Sequence, residues 1–294
     1  MLRLGDSVHT DVPFSWNPID DLQQLLQFEF MRNAYVAGTA AAIAAGIVGY
    51  FVVLRSLSFA AHALTQMSFV GTTGARVAGV NDLFGLGVVN GISAWIIGVL
   101  GRRERGRDVV VGIVLTTALG LGLLFLRLYR AQEAVPILVG DVLGVNHTQV
   151  LITLASAGAV LIAVAFVYRP LLFSTLDAEV AEARGVDLRA MSVVLLLILA
   201  VTTSVAAPIV GVLLTFSLIV GPAATAAVLA SRPPRALALS VALSVGYIWV
   251  GLAVSYWIDF PPSVFVTGMA LGAYVVARAY RSAVPRARLR LAGA

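Results

Sequence analysis

The stretch from Leu57 to Gly71 reads LSFAAHALTQMSFVG and sets a histidine and a glutamine inside an otherwise apolar run. His62 and Gln66 stand four residues apart, a spacing that puts two side chains on one face of a helix. An imidazole nitrogen is a good ligand for a transition metal and an amide oxygen a weak one, so the pair can meet a passing cation. The same two groups can equally hydrogen-bond a neighbouring helix, as polar side chains within membrane spans do. Other chemistry is sparse. All 20 basic residues are arginine, so the chain has no P-loop lysine, no Schiff-base lysine and no pyridoxal attachment point. It has 0 cysteines, which removes disulfides, thiolate metal sites and thiol nucleophiles together. The 3 histidines, His9, His62 and His147, are scattered without an acidic partner at metal-ligand spacing. His147, in GVNHTQV near Asp141, reads as a surface histidine. No catalytic constellation is expected, which disfavours a membrane enzyme.

The elements that must hold His62 and Gln66 follow from composition. A chain of 294 residues that is 60% hydrophobic and 12% charged is too apolar for a soluble domain. Its apolar runs fall at roughly 34–54, 57–79, 84–100, 109–127, 148–168, 190–208, 211–230, 236–257 and 264–280. Most are long enough to cross about 30 Å of hydrocarbon. The expectation is an all-α polytopic membrane protein with eight to nine transmembrane helices. Pro208 with Gly211, and Gly221 with Pro222, interrupt the pattern, so one span is expected to be broken or kinked. Small residues crowd stretches such as GTAAAIAAGIVG and GPAATAAVLAS, where they let helix backbones approach closely.

Charge sets the orientation. Fifteen arginines, among them Arg55, Arg102, Arg169, Arg184, Arg232 and Arg281, sit at alternate connections, against five elsewhere. The positive-inside rule makes the first set cytoplasmic, with the N-terminus outside and the C-terminus inside. The same clustering explains the net charge of +5 and makes nucleic acid a poor reading of it. No removable signal peptide is expected at the start. Residues 1–31 are expected to be an extracytoplasmic tail with a short interfacial helix, residues 32–281 the membrane domain, and residues 282–294 a basic cytoplasmic tail. Few acids lie within the spans, which disfavours a gradient-driven secondary transporter.

The longest cytoplasmic connection, RPLLFSTLDAEVAEARGVDLRAM, carries a polar segment, Thr175 to Gly185, that reads as a short helix. Asp177 suits its start and Gly185 its end. Ala178, Ala181 and Ala183 alternate with Glu179, Glu182 and Arg184, a surface that a cytoplasmic partner can grip. An ordinary solvated loop is the alternative.

This connection, with FMRNAYVAGTAAAIAAGIVGYFVVLRSLSF, ILVGDVLGVN, GVLLTFSLIVGPAATA and SYWIDFPPS, resembles the permease subunits of metal-ion (zinc, manganese and iron) ABC importers, in the same order over residues 28–265. The resemblance implies a type II importer permease fold in a bacterial cell (inner) membrane, working as a homodimer. It also implies a separate cytoplasmic ATPase, an extracytoplasmic metal-binding protein, and no tightly bound cofactor. The region 174–187 would be the coupling helix, with Asp177, Glu179, Ala181, Ala183, Arg184 and Gly185 facing the ATPase. In the family, the positions of His62 and Gln66 usually hold Asp and His, where relatives are thought to coordinate the metal. The imidazole-led pair here leans towards zinc, with manganese, iron or a chelated metal as alternatives.

Overall fold

The computed structural model describes residues 27–101, 104–129, 144–258 and 260–292, and for residues 104, 105 and 284–292 the backbone alone. Among these residues the chain is built from helices: α1 (Glu29–Leu54), α2 (Ser58–Ala78), α3 (Asp82–Leu100), α4 (Glu104–Tyr129), α5 (His147–Leu176), α6 (Ala178–Ala183), α7 (Leu188–Val210), α8 (Val212–Leu229), α9 (Pro233–Ile258) and α10 (Pro262–Ala292). The expected spans fall on the nine long helices. The C-terminal basic residues to 292 continue α10 as helix. Asp141, His9 and the expected interfacial helix before residue 27 lie outside the described residues.

Among the described residues, eight helices are both long and apolar enough to cross a membrane, and α2 is the long helix left out. At 21 residues it is long enough, since about 1.5 Å per residue gives roughly 30 Å. Its composition is the reason: His62, Thr65, Gln66, Ser68, Thr72 and Thr73 dilute its apolar residues. The fold answers this by surrounding α2 with α3, α4, α7 and α8. Little of α2 then faces hydrocarbon, and its threonine hydroxyls turn back onto their own helix, Thr72 Oγ1 donating to the Ser68 carbonyl at 2.9 Å. In contrast, α4 and α10 lie at the periphery and expose large apolar side chains such as Leu123 and Val276, as lipid-facing helices should.

Between helices in lipid the hydrophobic effect gives no net attraction, so close fit and polar bonds must hold the bundle. The small-residue stretches supply the fit. A methyl placed on Gly46 of α1 would lie 2.9 Å from the Ser244 Oγ and the Val241 Cα of α9, and one on Gly49 would overlap the Ile219 carbonyl of α8. The Ser240 hydroxyl uses this closeness to donate to the Gly46 carbonyl at 2.7 Å.

Two proline-glycine interruptions resolve differently. Gly211 sits at φ 86°, ψ 153°, a conformation open almost only to glycine, and alone separates α7 from α8. Gly221 and Pro222 stay inside a continuous α8, where Gly221 instead brings α8 against Ala270 of α10.

Candidate functional site

His62 and Gln66 lie on α2, both partly buried, one turn apart on the face their spacing predicts. The His62 ring meets the Phe216 ring of α8 edge to face, with centroids 4.9 Å apart. Its Nδ1 is buried and has no hydrogen-bond partner among the described residues. A buried ring nitrogen without a partner loses the hydration it would have in water, and native proteins leave few such groups. A helix-to-helix hydrogen bond from His62 therefore does not form among these residues. Among the described residues no group of three or more His, Asp or Glu side chains could hold a metal ion.

Just past Gln66 lies a polar cluster that the sequence reading missed. Asn90 of α3, fully buried, points its Nδ2 at the hydroxyls of Ser68 (3.0 Å), Thr203 (3.2 Å) and Ser204 (2.9 Å). The hydroxyls of Thr203 and Ser204 also donate to the Ala200 carbonyl on their own helix. The cluster pins α2, α3 and α7 together. The signal was available: a lone asparagine in LFGLGVVNGISAW is as conspicuous as His62.

The connection between α5 and α7 forms the expected short helix, α6. The Asp177 Oδ1 accepts the Val180 N–H at 3.0 Å, and Gly185 takes φ 84° at the other end, where the Val186 N–H reaches the Ala181 carbonyl at 3.0 Å. Thr175 and Leu176 belong to the end of α5, so the helix begins later than the polar segment suggested. Asp177, Glu179, Ala183, Arg184 and Gly185 are exposed. Ala181, by contrast, is 0% exposed and turned inward. A six-residue helix lying on a bundle must bury one face, and Ala181 is small enough to be that contact. The exposed apolar residues at this surface are instead Leu176 and Val180. The Arg184 guanidinium lies over the Phe173 ring, 5.6 Å from its centroid, which fastens α6 to α5.

At the N-terminal end of α5, Asn146 and Gln149 form a reciprocal capping box, the Asn146 N–H donating to the Gln149 Oε1 at 3.0 Å. His147 beside them is exposed. An apolar groove of about 470 Å³ lies between α1, α5 and α9, lined by Tyr35, Thr39, Ile43, Leu161 and Trp249 among others, and touches neither His62 nor Gln66.

Among the described residues, nine long helices packed as a bundle, with a capped short helix on the arginine-rich side, define a polytopic membrane protein. The ABC 3 transport family model matches residues 27–281, and the chain belongs to that family. The resemblance to metal-importer permeases is borne out; in these systems ATP hydrolysis falls to a separate subunit, and the permease is a multi-pass protein of the bacterial inner membrane. The chain is similar to the manganese transport system membrane protein MntC of Halalkalibacterium halodurans, 31% identical over 225 residues, covering 76% of this chain and 77% of the relative. It is also similar to the manganese import system permease protein ScaB of Streptococcus parasanguinis, 28% identical over 240 residues, covering 81% and 85%. Among solved structures, PsaBC from Streptococcus pneumoniae in complex with Fab superposes with a TM-score of 0.79 at 24% identity, over 88% of this chain and 94% of that one, a likeness of fold.

Proposed function

We propose that this permease carries a divalent transition metal into the cytoplasm, with manganese as its cargo, and that His62 and Gln66 contact the ion on its way. The observation that carries the reading is the buried, unpartnered Nδ1 of His62, on a helix packed against four others. The zinc expectation gains no support from the relatives, several of which are named for manganese. The softness of one imidazole is a poor guide to the ion, because oxygen donors favour manganese and Gln66 supplies an amide oxygen. An incomplete site also suits transport, since the ion must be released again.

Two protomers around a two-fold axis would double the donor set to two imidazoles and two amides, which supports a homodimer. The exposed face of α6, with Leu176, Val180, Glu179, Ala183 and Arg184, would dock the ATPase, and an extracytoplasmic binding protein would deliver the metal. The test is His62→Ala in the complete transporter reconstituted into vesicles. Manganese uptake is expected to vanish while the complex still assembles. Uptake at the wild-type rate would refute the assignment.

A further inference from the structure

The elbow between α1 and α2 is three residues long, Arg55, Ser56 and Leu57. It is closed by two backbone bonds, the Ser56 N–H to the Val53 carbonyl (3.2 Å) and the Leu57 N–H to the Val52 carbonyl (2.8 Å). Ser56 takes the left-handed conformation, φ 54°, that such a helix ending requires, and Leu57 is 1% exposed. An elbow this tight transmits displacement. Whatever moves Arg55 moves Ser58, the first residue of α2, and His62 one turn further on.

The Arg55 side chain faces away from its own helix pair. Its Nε donates to the Thr175 Oγ1 (2.8 Å), its Nη1 to the Ser192 Oγ (3.4 Å), and its Nη2 to the Leu171 carbonyl (3.4 Å) and the Ser174 Oγ. Leu171, Ser174 and Thr175 lie in the last two turns of α5, and Ser192 lies in the first turns of α7. One planar fork therefore grips both helices that flank α6. Among the described residues, Arg76 with Asp82 is the ion pair that forms, and Arg55 is held by neutral oxygens. Only arginine presents enough donors in a rigid plane to serve four acceptors at once, and a cation is well placed where α5 ends on its carbonyl pole. On topology alone Arg55 is one more positive-inside residue. Its contacts give it a second task.

We propose that Arg55 is the positioning residue through which movement of α6 on the ATPase is passed to α2 and its metal-contacting face. This rests on the reading of α6 as the docking helix and of His62 as a pathway residue. A rigid link of this kind makes the work of the ATPase and the state of the metal path one event, where a loose link lets hydrolysis run without transport.

The test uses the complete transporter in proteoliposomes, with manganese uptake and phosphate release measured on the same sample. Arg55→Gln is expected to retain its ATPase on purification but to lower the manganese moved per ATP hydrolysed about tenfold, within the usual range of a coupling between sites. Arg55→Lys, which keeps charge but not the fork, is expected to fall between. An unchanged ratio, even with both rates reduced together, overturns the proposal. Should Arg55→Gln not assemble, the pair Ser174→Ala and Thr175→Val removes acceptors while leaving the arginine, and an unchanged ratio there also overturns it. Val180→Glu on the exposed face of α6 separates the readings. It is expected to release the ATPase; retention of the ATPase removes the docking reading and this proposal with it. Release of the ATPase with an unchanged ratio in Arg55→Gln removes the proposal alone.

Discussion

Gly49→Ala is the sharpest test of how this bundle is held. The added methyl would sit inside the van der Waals envelope of the Ile219 carbonyl oxygen, and that neighbour is backbone, which cannot rotate away. Helices α1 and α8 must therefore part, and forced overpacking of this sort costs about 1–3 kcal/mol. The displacement also reaches the site, because Phe216, which backs the His62 ring, lies one turn before Ile219 on α8. Gly91→Ala is the matched control. It lies in a long helix with nothing within 4 Å of its added methyl, so the same change should be neutral or stabilising by up to about 1 kcal/mol, the helix penalty of glycine. Thermal unfolding of the two purified variants in detergent measures the contrast, and manganese uptake reports the site. The expected order is Gly91→Ala at or above wild type, and Gly49→Ala well below it in both assays. Equal stability of Gly49→Ala and wild type would refute the claim that close backbone approach at α1 and α8 holds the structure.

A double-mutant cycle of Asn90→Ala with Ser204→Ala should give a coupling of about 0.6 kcal/mol, with about 1.7 as a ceiling, as for hydrogen bonds between membrane helices. Asn90→Ala alone should be mild, because the Asn90 Oδ1 has no partner among the described residues and its removal offsets part of the loss. Denaturant unfolding checks both, and a coupling of zero would dismiss the pin between α2, α3 and α7. Gly211→Ala should destabilise by about 1–3 kcal/mol whatever space surrounds it, since its φ of 86° with ψ 153° suits glycine alone. Thermal unfolding should show a clear drop, and a wild-type midpoint would contradict the turn described between α7 and α8.

The amino-acid sequence by itself determined the spans, because membrane crossing depends on apolarity summed along the chain, and each expected segment became a long helix. It also set the ends of α6, because Asp177 and Gly185 act on backbone groups within a few residues of themselves. It placed His62 and Gln66 on one helical face for the same local reason. The tertiary structure alone decided what surrounds them. That α2 is wrapped by four helices, that Phe216 lies against His62, and that Asn90 reaches Ser68 and Ser204 all depend on which helices meet, and hydropathy carries no such information. Ala181 shows the limit most plainly: small and flanked by charges, it read as surface, yet a short helix on a bundle buries whichever small residue faces inward. Arg55 shows the converse, since its sequence position marked it as cytoplasmic, while its four contacts on α5 and α7 exist only once those helices converge.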